Sequence, residues 1–371
     1  MRFIPFALLF GLAHAQSLPE MDVKNWKVEG RAKTLEVFSN EVYGKVPAGK
    51  VTSEWALDRE SVILEGKVSR REYVLILGGQ LKVRALAYIP VTEKKVPAFL
   101  GLNFRGNHAV ETDEWITKSN EEERGQASGR WPVKMITEAG FALITIHRAD
   151  FDPDEDDGFQ NGVHALFDAG RTADSWGTIA GWAWGLSRVL DHLSEVSEID
   201  ETKVAVIGHS RLGKTALWAG ASDERFAMVI SNNSGCGGAA LSKRKHGETV
   251  GRINKVFPHW FAGNFKKYND KEETLPVDQH QLIACIAPRP VYVASASEDD
   301  WADPEGEFLA LKGAASVYAL WQELPFPAES WPKPGEAVGT KLMRYHLREG
   351  KHDIKAWDWE RYLKAAKFLQ E

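Results

Sequence analysis

The chain has 371 residues, 43% hydrophobic and 26% charged, with 46 Lys plus Arg against 52 Asp plus Glu and a formal net charge of −6. That composition belongs to a globular chain able to bury a sizeable core, and it excludes a disordered or collagen-like polymer. The acidic balance argues against a nucleic-acid-binding surface, so no nucleic-acid partner is expected.

The first predicted element is a leader and not part of the fold. Arg2 precedes an apolar stretch from Phe3 to Leu12, and Ala13-His14-Ala15 supplies an A-x-A cleavage site. The stretch is too short to span a bilayer and fits a secretory signal peptide over residues 1–15, cut near Ala15. The expectation is a secreted or periplasmic protein without membrane contact, residues 16–371 forming a single domain. There are two cysteines, Cys236 and Cys285, and no C-x-x-C pair. A disulfide scaffold and a cysteine zinc site are therefore excluded, while pairing of these two is left open.

Residues 61–90 read as antiparallel strands: one from Arg71 to Leu77, a Gly78-Gly79 turn, then Lys82 to Ile89 with Val83, Ala85, Ala87 and Ile89 in alternation. From about residue 96, short apolar strands at 98–104, 141–146, 204–207, 228–231, 291–294 and 343–347 alternate with helices. A helix over 178–194 carries a one-sided stripe of Ile179, Ala183, Leu186, Val189, Leu190 and Leu193. The C-terminal segment repeats the pattern with Trp359, Tyr362, Leu363, Ala366 and Leu369. This rhythm predicts an α/β fold with a mostly parallel central sheet flanked by helices and an N-terminal antiparallel extension. Ligands then bind at the carboxyl ends of the strands.

The strand at 204–207 runs into Gly208-His209-Ser210-Arg211-Leu212-Gly213-Lys214-Thr215. Gly208 and Gly213-Lys214-Thr215 satisfy the phosphate-loop pattern G-x-x-x-x-G-K-[ST]. Against it, the next strand ends in Asn232-Asn233 where a magnesium-binding Asp belongs, and the expected export removes the chain from nucleotide triphosphates. The competing reading is a nucleophile elbow, G-x-S at a sharp strand-to-helix turn. It departs from G-x-S-x-G, because Leu212 stands where the second glycine should be. A serine hydroxyl is a weak nucleophile and needs a histidine base oriented by a carboxylate. Both follow in hydrolase order: Glu298-Asp299-Asp300-Trp301 after the strand at 291–294, and His352 after the strand at 343–347. Asn103-Phe104-Arg105-Gly106-Asn107-His108 lies where hydrolases often supply an oxyanion-hole amide. The acidic run 152–157 fails the calcium-loop pattern, with Val163 at its twelfth position, and reads as a solvated or substrate-rim loop.

Together, residues 208–214, Asn232-Asn233-Ser234-Gly235-Cys236-Gly237-Gly238, Gly247-Glu248-Thr249, Trp301-Ala302-Asp303-Pro304 and Gly350-Lys351-His352-Asp353 resemble the bacterial glucuronoyl esterases of carbohydrate esterase family 15. The resemblance spans most of the chain from about residue 97. It implies an α/β-hydrolase fold and metal-independent, cofactor-free cleavage of the ester between 4-O-methyl-glucuronate on xylan and lignin alcohols. It implies Ser210 as nucleophile, His352 as base and Arg211 as oxyanion stabiliser, with Lys214, Glu248 and Trp301 contacting the uronate. Some fungal members place a Glu as the acid where this chain has Asn233. The matching later position is Asp299, with Glu298 and Asp300 adjacent. Alternatives are an acetyl-xylan esterase or other α/β-hydrolase, and a non-catalytic carbohydrate-binding scaffold using some of the 14 Trp as stacking platforms. The complete serine, acid and histidine set argues against the last.

Overall fold

The computed structural model describes residues 18, 20–167, 170–322 and 324–371; the expected leader lies outside them. Ten strands form one sheet: β1 (Ser53–Ile63), β2 (Val68–Leu77), β3 (Leu81–Pro90), β4 (Val96–Asn103), β5 (Ala142–His147), β6 (Ile199–His209), β7 (Met228–Asn232), β8 (Val291–Ala296), β9 (Ala337–Gly339) and β10 (Met343–Arg348). Their spatial order is β1-β2-β3-β5-β4-β6-β7-β8-β10-β9. From β5 through β10 every neighbouring pair is parallel. The β1–β2–β3 extension joins β5 antiparallel, and β9 adds antiparallel to β10 at the other edge.

The central strands are buried on both faces, which explains their continuous apolar runs. Along β4, Ala98, Leu100 and Leu102 enter one core cluster and Phe99 enters the other. The first cluster takes helices Thr178–Leu190 and Arg211–Ser222; the second takes helix Ala356–Ala366 through Trp359, Tyr362 and Leu363. The helix expected over 178–194 ends at Leu190, and Leu193–Glu195 continues as a 3₁₀ turn. Most of β1 escaped the sequence reading. It is an edge strand whose two faces are both partly solvated, so no clean apolar alternation marks it. Cys236 and Cys285 are both buried and free, so they form no bridge. Among the described residues, no helix is long and apolar enough to cross a membrane.

The sheet delivers its loops to one place. Ser210, Asn233, Asp299 and His352 follow the carboxyl ends of β6, β7, β8 and β10 in turn. The tightest of these connections is the first. Ser210 has φ 58° and ψ −129° and immediately precedes helix Arg211–Ser222. Its amide donates to Asn232 O at 2.8 Å, tying the turn to β7. A Cβ on Gly208 would stand 1.8 Å from Leu212 O, so the first residue of the motif must be glycine. Leu212 is buried in the core, and Gly213 makes the close approach, its added Cβ falling 3.0 Å from Ser234 Cβ. The second glycine of the elbow is thus displaced by one residue and still meets a crowded neighbour.

Gly208→Ala is expected to lower folding stability by about 3 kcal/mol or more, because the added methyl collides with backbone and cannot turn aside. Gly129→Ala, whose added Cβ meets nothing within 4 Å, is the near-neutral control. Denaturant midpoints compare the two; equal shifts would contradict the crowding argument.

Candidate active site

One cavity of about 280 Å³ is lined by all seven candidate side chains, Ser210, Arg211, Lys214, Glu248, Asp299, Trp301 and His352. Asn233, Phe257 and Trp260 complete its wall. The cleft beside Trp184 and Trp218 is larger, about 500 Å³, but neither Ser210 nor His352 lines it.

His352 meets Asp299, its Nδ1 donating to Oδ2 at 2.6 Å. The structure separates the three adjacent carboxylates by burial. Asp299 is 6% exposed, whereas Glu298 and Asp300 are exposed. Asp300 pairs outward with His246 Nε2 at 2.8 Å. Asn233 also has a defined place, donating from Nδ2 to the same Asp299 oxygen at 2.8 Å. The carboxylate therefore accepts from imidazole and amide together, which fixes its plane. Asn233 takes φ 48°, a left-handed conformation that asparagine tolerates better than most residues.

Behind His352 stands His209, with ring centroids 4.6 Å apart. His209 is buried and its Nδ1 lies 2.6 Å from Asn232 Oδ1; Asn232 in turn donates to Tyr362 Oη at 2.8 Å. Burial, reinforced by the charge of His352, holds the His209 pKa well below its ordinary value. A neutral imidazole thus stands behind His352.

Glu307, from helix Pro304–Gly313, ties the loops together from below. Its Oε1 accepts from the amides of Ser234 (2.7 Å) and Gly235 (2.9 Å), and its Oε2 from Ser295 Oγ (2.5 Å). One carboxyl so joins the loop after β7 to the end of β8. Its pKa is pushed up to about 7, first by complete burial.

Lys214 is buried one helical turn beyond Ser210. Its Nζ donates to Ser234 O (2.5 Å) and Cys236 O (2.6 Å) and stands 3.7 Å from Glu248 Oε2. Two of its three N–H groups therefore brace the pocket wall, leaving one for Glu248 or a ligand hydroxyl. The same contacts turn this ammonium away from a phosphate-loop role. Glu248 is anchored by its own amide, which donates to Trp301 O at 2.9 Å. Gly247, at φ 62°, allows that approach; a Cβ there would fall 2.4 Å from Trp301 O. Trp301 itself is 53% exposed at the cavity's edge.

One expectation needs correction. The acidic loop at 152–157 is not simply solvated: the side chains of Asp152 and Asp154 are almost completely buried. Asp154 is compensated there by Arg148, Arg211, His259 and Trp260, partners from distant sequence that no local pattern advertises. In the loop after β4, the Gly106 amide donates to Asn103 Oδ1 at 2.8 Å. Among the described residues, no group of three or more His, Cys, Asp or Glu is arranged to hold a metal ion.

Comparison with known proteins accords with this geometry. A family model described as "Glucuronyl esterase, fungi" matches residues 126–321. Carbohydrate esterase MZ0003, from an unknown prokaryotic organism, is 45% identical over 368 residues, covering 92% of this chain and 85% of that protein. The chain belongs to the glucuronoyl esterase family. A solved glucuronoyl esterase from Solibacter usitatus superposes with a TM-score of 0.90 at 39% identity, covering 96% of this chain and 99% of that one. The 4-O-methyl-glucuronoyl methylesterase 1 of Wolfiporia cocos is 33% identical over 204 residues, about half of either chain. This glucuronoyl esterase is a carboxylic ester hydrolase with the α/β-hydrolase fold.

Asp299→Asn is expected to lower turnover on the order of 10⁴-fold, because a neutral amide neither stabilises the imidazolium nor enforces its tautomer. Glu298→Gln and Asp300→Asn, both facing solvent, should change it only severalfold. Steady-state kinetics of the three variants decide the matter, and a crippling Glu298→Gln would move the acid by one residue.

Proposed function

We propose that this glucuronoyl esterase hydrolyses 4-O-methyl-glucuronoyl esters of the kind that join glucuronoxylan to lignin alcohols, through an acyl-enzyme on Ser210. The observation that carries the reading is that one cavity combines a serine held on a strained turn, a histidine–aspartate pair and a buried lysine–glutamate pair. The first two supply chemistry; the third supplies recognition.

His352 takes the Ser210 proton as the hydroxyl attacks the ester carbonyl, and Asp299 stabilises the resulting imidazolium. The oxyanion is stabilised by Arg211, through its guanidinium and the backbone amide with which it opens helix Arg211–Ser222. His352 then protonates the departing alcohol. A water activated by the same base releases the uronate.

Recognition follows from where the ester sits. The reacting carbonyl is attached to the sugar ring, so holding the ring holds the ester beside Ser210. Glu248 accepts from ring hydroxyls, the remaining Lys214 N–H donates to one, and the Trp301 indole covers an apolar sugar face. A site built this way penalises an epimer by leaving its own polar groups unpaired, about 1–3 kcal/mol per lost partner.

Methyl glucuronate should exceed methyl galacturonate, its C4 epimer, by roughly ten- to a hundredfold in kcat/KM. Simple acetyl esters, including acetylated xylan, should be poor substrates. Glu248→Ala should weaken uronate ester turnover while leaving a small activated acetyl ester nearly untouched. Equal losses on both substrates would assign Glu248 to structure or catalysis, and the recognition role would be wrong.

We also propose that residues 1–15 direct export and are removed, a reading supported by the charged, apolar and A-x-A succession at the N-terminus. N-terminal sequencing of the exported protein should then begin at Gln16; an intact Met1 would refute it.

A further inference from the structure

Arg211 directly follows the nucleophile, yet its side chain is not free to settle where it will. Its Nη1 is hydrogen-bonded to Asp154 Oδ2. Its guanidinium carbon lies 4.5 Å from the centre of the Trp260 ring and 5.1 Å from that of Phe257, and those two rings stack at 3.7 Å. Its Nε is buried and has no hydrogen-bond partner among the described residues. The arginine is held by a carboxylate and flanked by an aromatic pair, with a buried donor left over.

Asp154 is itself fully committed. Its side chain is 5% exposed. Oδ1 accepts from His259 Nε2 at 3.0 Å and from Trp260 Nε1 at 2.6 Å, while Oδ2 faces Arg211 and, at 3.5 Å, Arg148 Nη2. One carboxylate thus joins the loop after β5, the start of the helix carrying Arg211, and the segment carrying His259 and Trp260.

We propose that Asp154 is a positioning residue for ester cleavage, acting through Arg211. This rests on the reading of Arg211 as oxyanion stabiliser. Without the carboxylate, Arg148 and Arg211 would repel across a buried corner, and Arg211 would lose the anchor that keeps its guanidinium at the cavity wall. With it, the guanidinium is in place before negative charge develops, which is the condition for electrostatic stabilisation without reorganisation. A ground-state ester carries no full charge on its carbonyl oxygen and gains little from this arrangement. The loss on removing Asp154 therefore falls on kcat more than on KM. Burial opposes ionisation of Asp154, but the hydrogen bond from His259 and the charges of Arg211 and Arg148 outweigh it and hold the carboxyl well below the usual carboxylate range. The anchor stays charged at any pH at which a neutral histidine base can work.

A double-mutant cycle on the full-length enzyme with methyl glucuronate tests this, with thermal melts run alongside to separate folding from turnover. Arg211→Gln should cost roughly 10²- to 10³-fold in kcat, as for loss of an oxyanion donor. Asp154→Asn should cost roughly ten- to a hundredfold, chiefly in kcat. Introduced into Arg211→Gln, it should change kcat by less than about threefold, since the residue it serves is already gone. If Asp154→Asn fails to fold, Asp154→Glu, which keeps the charge but shifts the oxygens by a methylene, is put through the same cycle. Losses that multiply would overturn the inference, as would a folded Asp154→Asn enzyme with unchanged kcat. A near-wild-type Arg211→Gln enzyme would instead bring down the oxyanion reading, and this inference with it.

Discussion

The geometry of the site depends on one strained residue. Ser210 sits at φ 58° and ψ −129°, a conformation that costs an L-residue on the order of 1–3 kcal/mol. It persists because both sides of the turn are over-determined. β6 enters it through a buried run paired on both edges, and helix Arg211–Ser222 leaves it with nearly every side chain buried. Gly208 removes a methyl that would forbid the crossing, and Gly213 removes one that would crowd Ser234. The turn places the hydroxyl at the end of the parallel strands and sends Lys214 back across the same cavity one turn later.

Around that turn the protein buries more charge than a core ordinarily tolerates, and each carboxyl is handled differently. Asp154 is stabilised in its charged form by two arginines and two ring N–H donors. Among the described residues Glu307 has no cationic partner in its hydrogen-bond set, only amides and serine hydroxyls, and burial raises its affinity for a proton against them. Asp303, at the start of helix Pro304–Gly313, accepts from the Gly306 amide and pairs with Arg244. The three carboxyls hold, respectively, Arg211, the floor of the pocket and the loop bearing Trp301. Asp299 is held directly by Asn233 and His352.

The division of labour in the cavity follows from this scaffold. Lys214 braces the loop after β7 with two of its donors, so it is as much a part of the pocket's construction as of its surface. Glu248 depends on the backbone of Trp301 for its position, and that loop runs directly into the helix capped by Asp303. The groups proposed for recognition and for catalysis therefore share one set of supports.

The sequence by itself determined the α/β rhythm, the elbow and the order of serine, acid and histidine. Those depend on local periodicity, on glycine's freedom at a crowded turn and on which strand each loop follows, all of which are written in neighbouring residues. It also marked Lys214, Glu248 and Trp301 through a family pattern, although their contacts with one another were not readable. Which of Glu298, Asp299 and Asp300 turns inward was decided only by the tertiary structure, because the choice depends on where β10 brings His352 and where β7 brings Asn233. The same holds for the anchoring of Arg211. An acidic run at 152–157 looks solvated until Arg148, Arg211, His259 and Trp260 close over Asp154. Their charges and hydrogen bonds are what make a buried carboxylate affordable, and no stretch of sequence shorter than the fold contains them all.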